Sequence, residues 1–147
     1  MGRRRAHPLL HISDINYVRE NPLDYDRVVT VCQDSVVDNV GCAYEYYNLS
    51  DGETEGYGGE FSYTLFEQAA GGVQHSIERG EKTLIHCHMG QSRSVSVAAA
   101  AIAVHEDILF EEALEDCRSA EVEPDLGLQR FGRRFVNSHR QSARDRQ

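Results

Sequence analysis

The sequence has no stretch that is long and apolar enough to span a membrane. Its longest run of small and apolar residues lies between Val95 and Val104 and is interrupted by Ser96, whereas a transmembrane helix needs about 20 consecutive apolar residues. The arginines at positions 3–5 are followed by His-Pro-Leu-Leu-His and not by the apolar core of a secretion signal. We therefore expect a cytoplasmic protein that does not act on membranes.

The cysteines lack the spacing of a zinc site. No two of the four form a C-x-x-C pair, and no other cofactor motif is present. In the absence of an export signal we expect them to be reduced thiols and not disulfides. They are Cys32, Cys42, Cys87 and Cys117. The sequence thus predicts no metal and no cofactor.

Lysine is almost absent. Among the 15 basic residues only Lys82 is a lysine, and the formal net charge is −9. This negative charge argues against a general nucleic-acid-binding protein. An acidic, lysine-poor composition suits a protein from a halophilic prokaryote, but a GC-rich genome also favours arginine over lysine, and both explanations stay open.

The chain also lacks internal repeats, low-complexity segments and long linkers. Its 147 residues match the size of one ordinary domain with a real hydrophobic core. We predict a single domain over residues 1–147, with a core at about 9–137 and flexible segments at 1–8 and 138–147.

Strand patterns and helix patterns alternate along this domain. Runs of β-branched and apolar residues predict strands at 27–32, 42–49 and 83–86. Apolar residues at helical spacing predict helices at 60–79 and 92–105, a third from Phe110, and a fourth that Pro124 opens. We expect Gly80 to end the first helix, Gly71-Gly72 to bend or interrupt it, and Asp107 to cap the third. The alternation predicts an α/β fold with a central, mostly parallel sheet flanked by helices.

One strand–loop–helix unit carries the chemistry. Cys87 and Arg93 lie six residues apart, after an apolar strand and before a buried helix; we call residues 87–93 the Cys87 loop. A loop that enters a helix N-terminus points its backbone N–H groups into a concavity that binds a tetrahedral oxyanion. These amides, the helix dipole and the Arg93 guanidinium all favour the nucleophilic thiolate of Cys87.

The other residues of this unit have compatible roles. Arg93 can hold two phosphate oxygens in a bidentate fork. Gly90 gives the backbone freedom where the loop turns tightly, and the Ser94 hydroxyl can donate a hydrogen bond to the sulfur as it leaves. The predicted phosphate-binding residues are His88, Met89, Gly90, Gln91, Ser92 and Arg93.

The string from His86 to Ser94, HCHMGQSRS, resembles the His-Cys-x-x-Gly-x-x-Arg-Ser signature of protein tyrosine phosphatases, in their small dual-specificity subfamily. The resemblance extends from about His11 to Phe135. It includes DILFEEAL at 107–114 and PDLGLQRF at 124–131. In the second segment Asp125 and Leu128 replace the more common Asn and Phe, and we predict no functional consequence of either replacement.

This resemblance implies a protein tyrosine phosphatase-like fold and a two-step hydrolysis without a metal. Cys87 attacks phosphorus to give a cysteinyl phosphate, which water then cleaves. An aspartate on a loop some thirty-odd residues upstream would protonate the leaving oxygen. Asp51 is the candidate that we favour, with Glu53 and Glu55 as alternatives on the same loop.

Three further residues have predicted supporting roles. His86 is expected to orient the loop and the thiolate from behind and not to transfer protons. His88 is expected at the rim of the pocket, where it either touches substrate or is inert. Cys32 ends the strand that precedes the acid loop and is a possible redox partner of Cys87, as in some members of the superfamily; a buried packing residue is the alternative.

The predicted function is a protein phosphatase that acts on phosphotyrosine and on phosphoserine or phosphothreonine. Its partner would be a phosphorylated protein substrate, with no nucleic acid, no membrane and an unknown oligomeric state. The alternatives are a phosphatase for a lipid or RNA 5′-phosphate and a catalytically inactive phosphate-binding module. Inositol-lipid phosphatases of the superfamily tend to carry lysines in the loop, and this loop has none.

Overall fold

The computed structural model describes residues 3–21, 24–49, 59–119 and 122–145. The strands in these ranges are β1 (Arg3–His7), β2 (Leu10–Ser13), β3 (Arg27–Thr30), β4 (Ala43–Tyr46) and β5 (Thr83–His86). The helices are α1 (Ile15–Glu20), α2 (Gly59–Glu78), α3 (Arg93–Glu106), α4 (Phe110–Cys117) and α5 (Leu126–Asp145), with a short 3₁₀ turn at Val37–Asn39. None of the helices in these ranges combines the length and the apolar character that a membrane span requires.

The strands form one sheet in the order β1-β2-β5-β3-β4. Only the β1–β2 pair is antiparallel, and every other pair is parallel. The predicted α/β fold with a mostly parallel sheet is therefore confirmed. Strand β5 lies between β2 and β3, so the Cys87 loop leaves the sheet at its centre, on the edge where parallel strands deliver their carboxyl ends.

Strands β1 and β2 and helix α1 are elements that the sequence analysis did not predict, and β1 departs furthest from the expectation. Arg3–His7 falls in the segment that was expected to be flexible, yet it pairs with β2 along one side of the sheet. The side chains of Arg3 and Arg5 are exposed, and charged side chains are typical of an edge strand. Such a strand lacks the β-branched and apolar run from which β3, β4 and β5 were predicted.

Hydrophobic side chains pack on both faces of the sheet. Alternate residues of one strand belong to different clusters: Val28 packs with α1, and Val29 packs with the larger cluster that holds α2 to α5. Within that larger cluster α3 is buried at every position from Ser94 to Ala103. The helix that follows the Cys87 loop is thus the central helix of the domain.

Helix α2 is continuous through Gly71 and Gly72, so the expected interruption is wrong, while the expected bend stays a prediction. A Cβ atom added at Gly72 would meet Glu45 Oε1 at 2.7 Å. Glycine at this position lets the side chains of β4 approach the helix. Gly80 follows the helix with φ = +75° and donates its N–H to the carbonyl of Ile77, as expected of a helix end.

Asp107 ends α3 and does not cap α4, so that prediction is also wrong. Its backbone is left-handed (φ 57°, ψ 50°), and its N–H donates to the carbonyl of Ala103. Aspartate tolerates this conformation better than most residues. Leu109 occupies the position before α4 and makes no side-chain capping bond.

Candidate active site

The Cys87 loop is braced against the turn between β2 and α1. The Ile15 N–H donates to the His88 carbonyl at 3.1 Å. Gly90 has φ = +69°, and a Cβ atom added there would meet the carbonyl carbon and oxygen of Ser13 at 2.7 Å. Glycine is therefore required at this position both for its backbone conformation and for the close approach of a second segment.

The Cys87 sulfur is the focus of the loop. It is only 2% exposed. Its Sγ atom lies 3.1 Å from Ser94 Oγ, and the Gly90 N–H donates to it at 3.2 Å. Burial by itself raises the pKa of this thiol, but hydrogen bonds from the Ser94 hydroxyl and amide, the Arg93 charge and the Gly90 amide outweigh burial. The net effect lowers the pKa of Cys87 and favours the thiolate.

Arg93 lies at the C-terminal end of the same loop. Its side chain reaches Leu49, which follows strand β4. One terminal N–H donates to the carbonyl of Leu49 at 3.3 Å. Its Nε is buried and has no hydrogen-bond partner among the described residues. A buried guanidinium N–H without a partner is costly, and an anion bound beside Cys87 would satisfy it.

The three candidates for the general acid, Asp51, Glu53 and Glu55, lie outside the described residues. Leu49, two positions before Asp51, is described and is buried. Because Leu49 accepts the hydrogen bond from Arg93, the chain enters the candidate acid segment directly beside the guanidinium.

His86 lies behind the loop in the centre of the sheet. It is fully buried, its Nε2 lies 2.7 Å from Thr30 Oγ1, and its Nδ1 lies 3.3 Å from the Cys87 carbonyl oxygen. Burial lowers the pKa of His86 to about 4. The imidazole is therefore neutral at neutral pH, and its two contacts fix the ring between β3 and the peptide of Cys87.

A cavity of about 350 Å³ opens beside the sulfur. One wall comes from the Cys87 loop and the other from the segment that precedes α5. The lining residues are Cys87, Met89, Gln91, Ser92, Arg93, Val122, Glu123 and Asp125. Within the described ranges no group of three or more His, Cys, Asp and Glu side chains is arranged to hold a metal ion.

The second wall is the part of the site that sequence reasoning missed. The Asp125 N–H donates to Ser92 Oγ at 2.9 Å and so ties this wall to the Cys87 loop, while the Asp125 carboxylate accepts from the Leu128 N–H at the start of α5. The only sequence signal was Pro124-Asp125 in the predicted helix opening. Nothing in it indicated that the segment meets residues more than thirty positions upstream.

No protein-family model and no curated protein matches the chain. Solved structures do match it. Human DUSP28 has 17% identity over 95% of this chain and 96% of its own, with a TM-score of 0.77. PTPMT1 has 15% identity over 97% and 99%, with a TM-score of 0.75. The Cydia pomonella PTP-2 phosphatase has 19% identity over 90% and 88%, with a TM-score of 0.69.

The chain has the dual-specificity phosphatase fold. Identities below 20% establish the fold and leave the activity of this chain to be argued from its own residues. The matches give no support to a halophilic origin.

Two predicted residues lie at the margins of this site. The side chain of His88 is 52% exposed and lies 3.8 Å from Asp34 Oδ2. It is not among the residues that line the cavity. Cys32 is fully buried. Burial raises its pKa, while a hydrogen bond to the Asp34 carbonyl and the charge of Arg93 act in the opposite direction.

Proposed function

We propose that this chain is a cysteine-dependent phosphatase that hydrolyses phosphotyrosine and phosphoserine or phosphothreonine in proteins. The single observation that carries the proposal is the surroundings of the Cys87 sulfur. A buried thiol with a lowered pKa receives hydrogen bonds from Ser94 and Gly90 and shares its cavity with a guanidinium, one N–H of which has no partner in the described part of the chain.

In the first step the Cys87 thiolate attacks phosphorus, the S–P bond forms and the bond from phosphorus to the leaving oxygen breaks. Arg93 binds two of the three non-bridging oxygens, and the loop amides bind the third as charge develops on the group. The transferred phosphoryl group then resides on sulfur as a cysteinyl phosphate. No metal takes part in this proposal, because the fixed charge of Arg93 and the amide dipoles compensate the phosphate.

The leaving oxygen needs a proton, which we assign to Asp51. The assignment rests on the position of Asp51 two residues after Leu49, whose carbonyl accepts from Arg93. Glu53 and Glu55 are the alternatives in the same segment. A carboxyl group with a raised pKa would suit this role, since it must still carry a proton near neutral pH.

In the second step water attacks phosphorus, the S–P bond breaks and the thiolate departs. The acid of the first step now acts as the base that takes a proton from water. The Ser94 hydroxyl, 3.1 Å from the sulfur, donates to the developing thiolate and lowers the barrier to its departure. Orthophosphate is released, and the enzyme returns to its starting state.

Hydrolysis of para-nitrophenyl phosphate in the presence of EDTA tests the proposal. We expect the wild type to turn over in low salt and Cys87→Ser to be inactive. Cys117→Ser is the matched control, because Cys117 is buried in α4 and does not line the cavity. Repeating the assay in molar salt shows whether the acidic composition has a functional role. Full activity in Cys87→Ser contradicts the mechanism.

The same assay separates the alternatives. Asp51→Asn is expected to lose the basic limb of the pH–rate profile, and an unchanged profile would move the acid to Glu53 or Glu55. Phosphate binding without turnover by the wild type would indicate an inactive phosphate-binding module. Activity on an RNA 5′-phosphate or a phospholipid, with none on phosphopeptides, would indicate a non-protein substrate.

A further inference from the structure

The second wall of the cavity carries negative charge. Glu123 and Asp125 line it beside Val122, whereas the Cys87 loop contributes Arg93 as the one cationic lining residue among those described. A bound phosphoryl group would engage Arg93 together with the loop amides. The part of a substrate that extends beyond the phosphate therefore meets carboxylates and no described lysine or arginine on the cavity lining.

Beside the cavity, Glu123 shares one guanidinium with a second carboxylate. Arg118 donates to the Glu123 carboxylate at 2.8 Å and to the Glu115 carboxylate at 3.1 Å. Two carboxylates against one guanidinium leave one net negative charge among these three side chains.

The wall is also held in a fixed position. The side chain of Gln129, which is 3% exposed, donates to Glu123 Oε1 at 3.0 Å and to the Pro124 carbonyl at 2.8 Å. The Asp125 N–H fastens the same segment to Ser92 of the Cys87 loop. A charge held in place before binding costs little entropy when a partner arrives. The Glu123 side chain is still 62% exposed, so a partner can reach it.

Resting on the proposed phosphatase function, we infer that Glu123, with Asp125 beside it, selects phosphopeptides that carry arginine or lysine next to the phosphorylated residue. A basic side chain that follows the phosphate into the cavity meets the exposed carboxylate of Glu123. An acidic side chain, or a second phosphate at the same place, is repelled by the Glu123 carboxylate. The net charge of −9 acts in the same direction at longer range.

Two phosphotyrosine peptides that differ only in flanking residues test the inference. One carries arginine at the two positions on each side of the phosphotyrosine, and the other carries glutamate there. We expect kcat/KM of the wild type to favour the arginine peptide by about tenfold in low salt, because ion pairs of half-exposed groups contribute modestly and several act together. The preference should shrink in molar salt, where exposed charges are screened.

Variants locate the effect at Glu123. Glu123→Gln should reduce the ratio of kcat/KM for the arginine peptide to kcat/KM for the glutamate peptide by about threefold, the size of one exposed ion pair. Glu123→Lys should reverse the preference. Glu115→Gln is the matched control, because the Glu115 carboxylate pairs with the same arginine but Glu115 does not line the cavity. An unchanged ratio in Glu123→Gln, or an equal change in Glu115→Gln, overturns the inference.

Binding to Cys87→Ser keeps this test separate from the proposed hydrolysis. Fluorescence anisotropy with the same labelled peptides measures recognition without turnover. Equal hydrolysis and equal binding of the two peptides overturn the inference and leave the phosphatase in place. Tighter binding of the arginine peptide without hydrolysis by the wild type supports the recognition and removes the proposed activity. Absence of binding and of hydrolysis for both peptides contradicts both.

Discussion

The Sγ atom of Cys87 lies 3.1 Å from the hydroxyl oxygen of Ser94, in the first turn of the central helix. This contact links the nucleophile to the most deeply buried helix of the domain. It lowers the pKa of the thiol in the resting enzyme and, in the proposed mechanism, stabilises the same sulfur when it leaves phosphorus. A single hydroxyl thus contributes to both halves of the reaction.

Replacement of Ser94 by alanine should raise the pKa of Cys87, because the bond removed favours the thiolate. The acidic limb of the pH–rate profile should then move to higher pH, and iodoacetamide should alkylate Cys87 more slowly at pH 6. Ser96→Ala is the control, since Ser96 is buried in the same helix and its Oγ has no hydrogen-bond partner among the described residues. Equal alkylation rates in wild type and Ser94→Ala would refute this role.

Replacement of Gly90 by alanine should distort the Cys87 loop. The new Cβ would lie 2.7 Å from the Ser13 carbonyl in a backbone with φ = +69°. Loss of about a hundredfold in kcat/KM is expected, since an ångström of misplacement at a catalytic group can cost that much. The free energy of unfolding should also fall, by roughly 1–3 kcal/mol.

Gly71→Ala is the matched control for Gly90→Ala. A Cβ at Gly71 has no heavy atom within 4 Å, and the residue lies inside α2. This variant should keep its activity and gain about 0.5–1 kcal/mol, the usual difference between alanine and glycine in a helix. Urea denaturation measures the stability of both variants, and turnover measures their activity. Normal activity in Gly90→Ala would contradict the role given to the contact between Gly90 and Ser13.

His86 should make the folded state sensitive to acid. Its pKa is lowered from 6.5 to about 4, so below pH 6.5 the unfolded chain binds a proton that the folded chain does not. Its stabilising contribution is therefore present above pH 6.5 and is lost as the pH falls through 4, amounting to about 3 kcal/mol.

Urea denaturation between pH 7 and pH 4 measures this contribution. The free energy of unfolding of the wild type should fall more steeply with acid than that of His86→Gln. His75→Gln, which changes an exposed histidine in α2, should retain the wild-type slope. Parallel slopes for the wild type and His86→Gln would contradict the assignment.

Cys32 should form a disulfide with Cys87 under mild peroxide. Peroxide oxidises the Cys87 thiolate to a sulfenic acid, and the Cys32 thiol displaces water from it to form the S–S bond. Peptide mapping should find a Cys32–Cys87 linkage, and dithiothreitol should restore activity. Cys32→Ser should become irreversibly inactivated sooner, whereas Cys42→Ser should behave as the wild type. Absence of the linkage under mild oxidant would leave Cys32 as a packing residue.

The central strand–loop–helix unit was predictable from the sequence because its residues are local. The apolar run at 83–86 coincides with β5, and the predicted helix at 92–105 differs from α3 by one residue at each end. The buried character of α3 also follows from a segment that is apolar on all sides. Local sequence patterns of this kind predict the structure correctly because the tertiary packing favours the same conformation.

The parts that were missed depend on contacts between distant residues. His86 meets Thr30 across 56 positions, and Asp125 meets Ser92 across 33. Strand β1 is set by pairing with β2 and not by its own arginines. Asp107 shows the same limit at short range, since one aspartate suits either the end of α3 or the start of α4, and packing selects the former.

The most direct test of the proposed mechanism is the covalent intermediate. Wild-type protein is mixed with para-nitrophenyl phosphate and quenched in acid within one turnover, and its peptides are mapped by mass spectrometry. We predict a phosphoryl group on Cys87 that is absent from Cys87→Ser and accumulates in Ser94→Ala, in which departure of the thiolate is slowed. Turnover without phosphorylation of Cys87, or a phosphoryl group on another residue, would contradict the mechanism.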